Sequence, residues 1–316
     1  MNSGHGAGDG TTLSKLRAGG KRALADALAR IETEPDSPEI AALLDAALAV
    51  PQGFSLGLTG PPGVGKSTLT DALIRAWRDD GKTIAVIAVD PSSTRTGGAL
   101  LGDRTRLTTD PADTGVFVRS MAARDRLGGV AEITFPAMVL MRALYDLVLV
   151  ETVGVGQSET AVSALADMTA FCAQPGSGDA LQFMKAGIME VPDLVVVTKA
   201  DMGVLADRAV ADLRGALSLA GTRPAPVLSC SARDGTGLDL VLHEICNLAA
   251  LRTPEFRQSR RAQAIRWAED QIRVRFGQFG FSLVQRRTVD NYLTEPFSGT
   301  IHLNSKLSRA MTEAFE

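Results

Sequence analysis

Phe54-Ser-Leu-Gly-Leu-Thr59 runs directly into Gly60-Pro61-Pro62-Gly63-Val64-Gly65-Lys66-Ser67-Thr68, and this junction decides the architecture. An apolar run of strand length meets the pattern GxxxxGK[ST], and a helical segment over Thr68–Trp77 follows, the context this phosphate-binding loop requires. The glycines let consecutive backbone N–H groups turn inward as an anion nest. The helix N-terminus adds the positive end of its dipole. Lys66 is placed to reach the β- and γ-phosphates, and the Ser67 hydroxyl to ligate Mg²⁺. Residues 60–68 therefore predict nucleoside triphosphate binding.

Outward from this loop, short apolar runs alternate with amphipathic stretches. The predicted strands are Phe54–Thr59, Thr83–Val89, Val116–Arg119, Tyr145–Glu151, Met168–Ala173, Leu194–Thr198 and Pro226–Ser231. Runs such as Leu147–Val150 and Leu194–Val197 are apolar without interruption, as expected of strands with helices on both faces. The fold class is thus α/β, a doubly wound and mostly parallel sheet over 51–252. Residues 1–12 are small, polar and Gly-rich and read as a disordered lead-in. Helical spacing of Leu24, Leu28 and Ile31, then of Ile40, Leu43, Leu44 and Ala47, predicts two N-terminal helices within 13–50. Pro254 marks a boundary, and 253–316 form an extension in which Ile265, Ala268, Ile272 and Phe276 make one helical stripe.

Composition narrows the function. The chain has 316 residues, 45% hydrophobic and 22% charged, enough for a sizeable core and inconsistent with wholesale disorder. A net charge of -3 argues against a dedicated nucleic-acid binder. No apolar run reaches the roughly 18 residues of a membrane span. Cys172, Cys230 and Cys246 are too few and scattered for a disulfide framework and read as small buried hydrophobes. With no targeting pattern at the N-terminus, a cytoplasmic location is expected.

Three carboxylates are candidate Mg²⁺ ligands: Asp90 and Glu151 at strand ends, and Asp103 in a loop. Gly154-Val-Gly156, just beyond Glu151, would let a backbone amide approach the γ-phosphate. Thr198-Lys199-Ala200-Asp201 follows another strand. An aspartate there can accept from N1–H and the 2-amino group of guanine, a pair that adenine lacks, and the Lys199 stem can pack on the base. Ser231-Ala232-Arg233 follows the last strand, where a backbone amide could reach guanine O6. GTP and GDP are the expected nucleotides. Sites of this kind usually read Asn-Lys-x-Asp. Thr198 has a hydroxyl and no amide, so a bond to base N7 or to the phosphate loop is at stake.

Several long motifs then identify a resemblance. Ala88-Val-Asp-Pro-Ser-Ser-Thr-Arg-Thr-Gly-Gly98, Leu101-Gly-Asp-Arg-Thr-Arg106, Leu127-Gly-Gly-Val-Ala131 and Glu151-Thr-Val-Gly-Val-Gly-Gln-Ser158 resemble the MeaB/MMAA (ArgK-type) family over roughly 12–275. The resemblance includes an Arg260-Arg261…Trp267 helix. It implies a P-loop GTPase that serves as chaperone to an adenosylcobalamin-dependent acyl-CoA mutase, gating cobalamin loading and protecting or reactivating the enzyme. It also implies a homodimer built by C-terminal arm helices, and Mg²⁺ or switch roles for Asp90, Asp103 and Glu151. A further loop reads Gly178-Asp-Ala-Leu-Gln-Phe-Met-Lys185, where Ala180 replaces the polar family residue. Phe279–Leu303 does not align with the family arm.

No residue stands out as a general base, so slow intrinsic hydrolysis is expected. Alternative readings are a small-molecule kinase or transport ATPase, a metal-insertion GTPase, and an inactive nucleotide-binding scaffold. Asp201 argues against adenine in the first. The second calls for a His-rich stretch, and His5, His243 and His302 are widely separated.

Overall fold

The computed structural model describes residues 12–91, 107, 109–123, 131–152, 158–176, 192–219, 225–286 and 294–315. Helices α1 (Leu13–Thr33) and α2 (Pro38–Ala49) come first. Next are β1 (Phe54–Thr59), α3 (Lys66–Asp79), β2 (Ile84–Pro91), β3 (Val116–Ala123), α4 (Ala131–Arg142), β4 (Leu147–Thr152) and α5 (Ser158–Leu165). β5 (Met168–Ala173), β6 (Leu194–Val197), α6 (Val204–Leu219), β7 (Val227–Ser229), α7 (Leu238–Arg286) and α8 (Pro296–Phe315) complete the described elements. All seven expected strands form. β3 continues past its expected end at Arg119 because it pairs with β2 as far as Pro91 opposite Ala123.

The strand order is β3-β2-β4-β1-β5-β6-β7, and every pairing is parallel. Alternation along the strands divides the core. Ala85, Ile87, Val89, Val148 and Val150 pack with α1, α2 and α4 on one face. Ile84, Val86, Leu147 and Leu149 pack with α3 and α7 on the other. With helices on both faces, β5 and β6 are buried at every position, which accounts for the unbroken apolar run of β6.

Thr12, counted in the sequence with the disordered lead-in, instead caps α1, its hydroxyl accepting from Lys15 N at 3.3 Å. Residue 254, expected at a boundary, lies inside α7. The reason is a buried stripe at steps of about four residues: Val241, Ile245, Ala249, Phe256, Arg260, Ala264, Ala268 and Ile272. Steps of four advance about 40° around a helix. The stripe therefore winds, facing the α3 layer first, then the α4 layer, then α8. Gly277 (φ 66°) kinks α7. α8 then returns over α2, where the Asp45 carboxylate accepts from Phe297 N at 3.1 Å and Ser298 N at 2.9 Å. The tail segment that matched no family arm is thus helical at 279–286 and 296–303. Trp267 lies 4.7 Å from Phe297 between ring centroids and donates to Glu132 O at 3.1 Å, fastening the extension to α4. Among the described residues no helix is long and apolar enough to cross a membrane. Cys172 and Cys230 are buried as expected, whereas Cys246 is exposed.

At the edge of the sheet where β1 and β5 begin, Asp167 is fully buried between two guanidinium groups. It accepts from Arg260 Nε at 2.7 Å and Nη2 at 2.8 Å, from Arg142 Nη1 at 3.1 Å, and from Ser55 N at 2.8 Å and Oγ at 2.9 Å. Burial alone would push this carboxyl up; the two arginines and the Ser55 amide outweigh it and hold the group below the ordinary carboxylate range. Arg142 is less well served. Burial lowers it to about 10, and its Nε and Nη2 have no partner among the described residues. Asp167→Ala would leave two guanidinium groups facing each other in the core, so a loss of about 3–5 kcal/mol is expected, read as a lower urea midpoint. The Asp167 contribution is complete above the ordinary carboxylate pKa of about 3.9 and is lost as pH falls through the lower native value. Wild-type stability should therefore fall on acidification through that window, and the Asp167→Ala protein should lack this component.

Candidate nucleotide site

Because the described strands are all parallel, their C-terminal ends share one edge of the sheet. That edge carries the end of β4 and the loops after β1, β6 and β7, and with them most of the described residues singled out in the sequence. The loop after β1 turns at Gly60 (φ 133°), Gly63 (φ 74°) and Gly65 (φ 99°). A Cβ at Gly60 would run into the carbonyl oxygen of Cys172, so only glycine lets the loop lie against β5.

The loop is held by its carbonyl groups. Lys66 Nζ donates to Gly60 O at 2.6 Å and to Pro61 O at 3.0 Å. Lys199 Nζ donates to Gly63 O at 3.2 Å, and Thr198 Oγ1 to Val64 O at 2.6 Å. Gly65 O accepts from Leu69 N at 2.9 Å as α3 begins. A loop held in this way turns its N–H groups toward an incoming anion. Pro62 and Thr68 are exposed at its rim, while Val64 is fully buried beneath it.

Glu151 lies in β4 between β1 and β2, opposite Leu58 and Ala88. Its carboxylate accepts from Ser67 Oγ at 2.6 Å and from Thr70 Oγ1 at 3.3 Å. Thr70 was missed in the sequence, although it lies three residues after Ser67 on the same helix face. Ser67 and Glu151 supply hard oxygen donors of the kind Mg²⁺ prefers, so the described residues fit that ion. Asp90 belongs to β2 and only its backbone is described; Asp103, Gly154 and the segment Gly178–Lys185 lie outside the described residues.

The base-reading candidates sit side by side. Thr198 is buried, and its hydroxyl is directed at Ala173 O (2.9 Å) as well as Val64 O. The tie to the phosphate loop placed at stake by the missing asparagine amide is therefore kept by a hydroxyl. Lys199 is left-handed (φ 57°), the one non-glycine residue with positive φ among those described. Asp201 lies exposed in the following 3₁₀ turn, Ala200–Met202. Ala200 N donates to Cys230 O at 3.2 Å, joining this turn to the loop after β7. In that loop Ser231 N is committed to Thr236 O at 2.8 Å, which leaves the expected O6 contact to the backbone of Ala232 or Arg233. Gln174, not singled out in the sequence, accepts from Lys199 Nζ at 2.5 Å. The Cys172 and Cys230 thiols beneath the site are pushed up by burial to about 12 and about 11, so both stay protonated at neutral pH. A cleft of about 1390 Å³ lies at the opposite edge, between α2, α7 and the start of α8, and none of these candidate residues lines it.

Thr198→Val removes the hydroxyl and takes a donor from the Val64 carbonyl, while Ala173 O keeps the residue 198 N–H at 2.8 Å, at a cost of about 1–3 kcal/mol. The expected outcome is a lower thermal midpoint together with weaker GDP binding, measured by calorimetry. Gly60→Ala should abolish nucleotide binding, because the loop cannot keep its path against β5.

The family model described as Methylmalonyl Co-A mutase-associated GTPase MeaB matches residues 24–279. A putative GTPase of Caulobacter vibrioides is 37% identical over 293 residues, covering 89% of this chain and 86% of that protein. A putative GTPase of Pyrococcus horikoshii is 44% identical over 190 residues; the match spans 60% of each chain, so this chain aligns with only about three-fifths of that relative. Among solved structures, a LAO/AO transport system kinase superposes with a TM-score of 0.65 at 30% identity, covering 94% of this chain and 96% of that one. The loop after β1, the TKAD turn and a family match over most of the chain agree, and the chain belongs to the MeaB family of methylmalonyl-CoA mutase-associated GTPases.

Proposed function

We propose that this protein binds GTP and GDP with Mg²⁺, hydrolyses GTP slowly, and uses that cycle to gate cobalamin loading into an adenosylcobalamin-dependent acyl-CoA mutase and to protect or reactivate it. We read it as a cytoplasmic homodimer. The observation that carries the nucleotide reading is the joining of two motifs in one site: Thr198 and Lys199 bond to the carbonyls of the same loop that presents Lys66 and Ser67. The mutase-associated part rests on family membership.

In this reading the loop amides and the Lys66 ammonium stabilise charge on the transferring phosphoryl group. Ser67 and Glu151, with Asp90 and Asp103, would hold Mg²⁺, which supplies charge neutralisation at the phosphates. The hydroxyls of Ser67 and Thr70 orient the Glu151 carboxylate. Slow intrinsic turnover that a partner accelerates is the behaviour expected of such a switch.

Calorimetric titration with GDP, a non-hydrolysable GTP analogue and ADP tests the base assignment. Guanine nucleotides should bind at least about 100-fold more tightly, because two hydrogen bonds to the Asp201 carboxylate go unmade with adenine. Equal or tighter ADP binding would put the kinase or transport ATPase reading first. Two analogues resolve the contacts further. The Thr198 hydroxyl proton points at two carbonyl groups, so 7-deaza-GDP should bind within about threefold of GDP. Inosine diphosphate, which lacks the 2-amino donor to a carboxylate, should bind on the order of tenfold or more weakly. Steady-state hydrolysis with and without purified methylmalonyl-CoA mutase tests the switch. Lys66→Ala should remove hydrolysis in both conditions, and fast turnover of the wild type that ignores the mutase would sink the chaperone reading.

A further inference from the structure

We infer that Gln174 is a positioning residue for guanine-nucleotide binding, acting through Lys199. The inference rests on the reading of Lys199 and Asp201 as the base-binding pair. Gln174 follows the last residue of β5 directly. The parallel register pairs Ala173 with Val197, so the next step along both strands sets Gln174 beside Thr198. From there its Oε1 accepts from Lys199 Nζ at 2.5 Å, while the same ammonium donates to Gly63 O at 3.2 Å. An ammonium only donates and a side-chain amide accepts only through oxygen, so this contact fixes which end of the Gln174 amide faces Lys199.

Two features of Lys199 explain why it needs such a partner. Its backbone is left-handed, a conformation that costs any residue with a Cβ, so the turn is held from outside rather than by local preference. Its side chain is also exposed. A solvated lysine samples many rotamers, whereas a lysine whose stem covers a base must keep one. The Gly63 carbonyl alone gives the ammonium one anchor. Gln174 gives a second from the neighbouring strand, and two anchors define the line of the stem. Gln174 is thereby placed to act on the base through Lys199.

The test is a double-mutant cycle on the full chain, using GDP and ADP as probes. Gln174→Leu should raise the GDP dissociation constant about tenfold, the loss of one hydrogen bond to a charged group. In GTP hydrolysis the increase in KM should exceed any change in kcat. Gln174→Glu, which keeps an acceptor facing the ammonium, should restore GDP affinity. In a Lys199→Met background, Gln174→Leu should change GDP affinity by less than about twofold. Thermal midpoints measured alongside show whether each variant is folded. An equal loss in the Lys199→Met background, no loss from Gln174→Leu, or failure of a folded Gln174→Glu protein to recover affinity would overturn the inference. If the unsubstituted protein takes ADP as well as GDP, the base-site reading itself fails. If guanine selectivity holds while Gln174 and Lys199 act independently, only the positioning role fails.

Discussion

One buried carboxylate organises the end of the sheet opposite the candidate nucleotide site. Asp167 gathers the heads of β1 and β5, the last turn of α4 and the middle of α7 through bonds from Ser55, Arg142 and Arg260. Gln52 N and Gly53 N donate to the Arg142 carbonyl, and Arg260 also holds Gly53 O. The entry into β1 is thus fixed from several sides, and β1 leads straight into the phosphate-binding loop. Buried ion pairs add little net stability beside a well-packed apolar core, but removing one member leaves a stranded charge. The consequence is positional: the bonds between Arg260 and Asp167 set the middle of α7 against the heads of β1 and β5.

At the other edge the organising constraint is backbone bonding. The phosphate loop can present N–H groups to an anion only if its carbonyls are satisfied elsewhere, since a buried polar group without a partner is costly. Lys66, Thr198 and Lys199 supply those partners from the loop itself and from the end of β6. The elements proposed to read the base and the phosphates therefore share bonds rather than merely adjoin. Within this arrangement a threonine hydroxyl takes over one bond, to the loop, at the usual asparagine position. The other bond at stake, to base N7, needs a donor that the hydroxyl proton does not offer.

Much of this was legible in advance. Periodicity located the seven strands, because parallel strands covered on both faces carry unbroken apolar runs. The motif residues Lys66, Ser67, Glu151, Thr198 and Lys199 come together as their strand ends imply. The misses have physical causes. Pro254 looks like a boundary, but a winding buried stripe carries α7 through it. The β-branched and glycine content of 279–303 leaves its fold open in the sequence; the kink at Gly277 and the Asp45 cap on α8 accompany helix at 279–286 and 296–303. Thr12 and Cys246 show the same limit at smaller scale, since a cap and an exposed thiol depend on neighbours.

Residue type and spacing alone made the phosphate loop recognisable, because an anion nest needs glycines, a lysine and a hydroxyl at set intervals along one segment. The α/β class followed from local periodicity in the same way. Contacts between distant segments were decided only in three dimensions: Asp167 with Arg142 and Arg260, Glu151 with Thr70, Lys199 with Gln174, and Asp45 with the start of α8. Each joins residues whose separation in sequence carries no signal, and each exists because strand register and helix packing bring a donor and an acceptor within bonding distance.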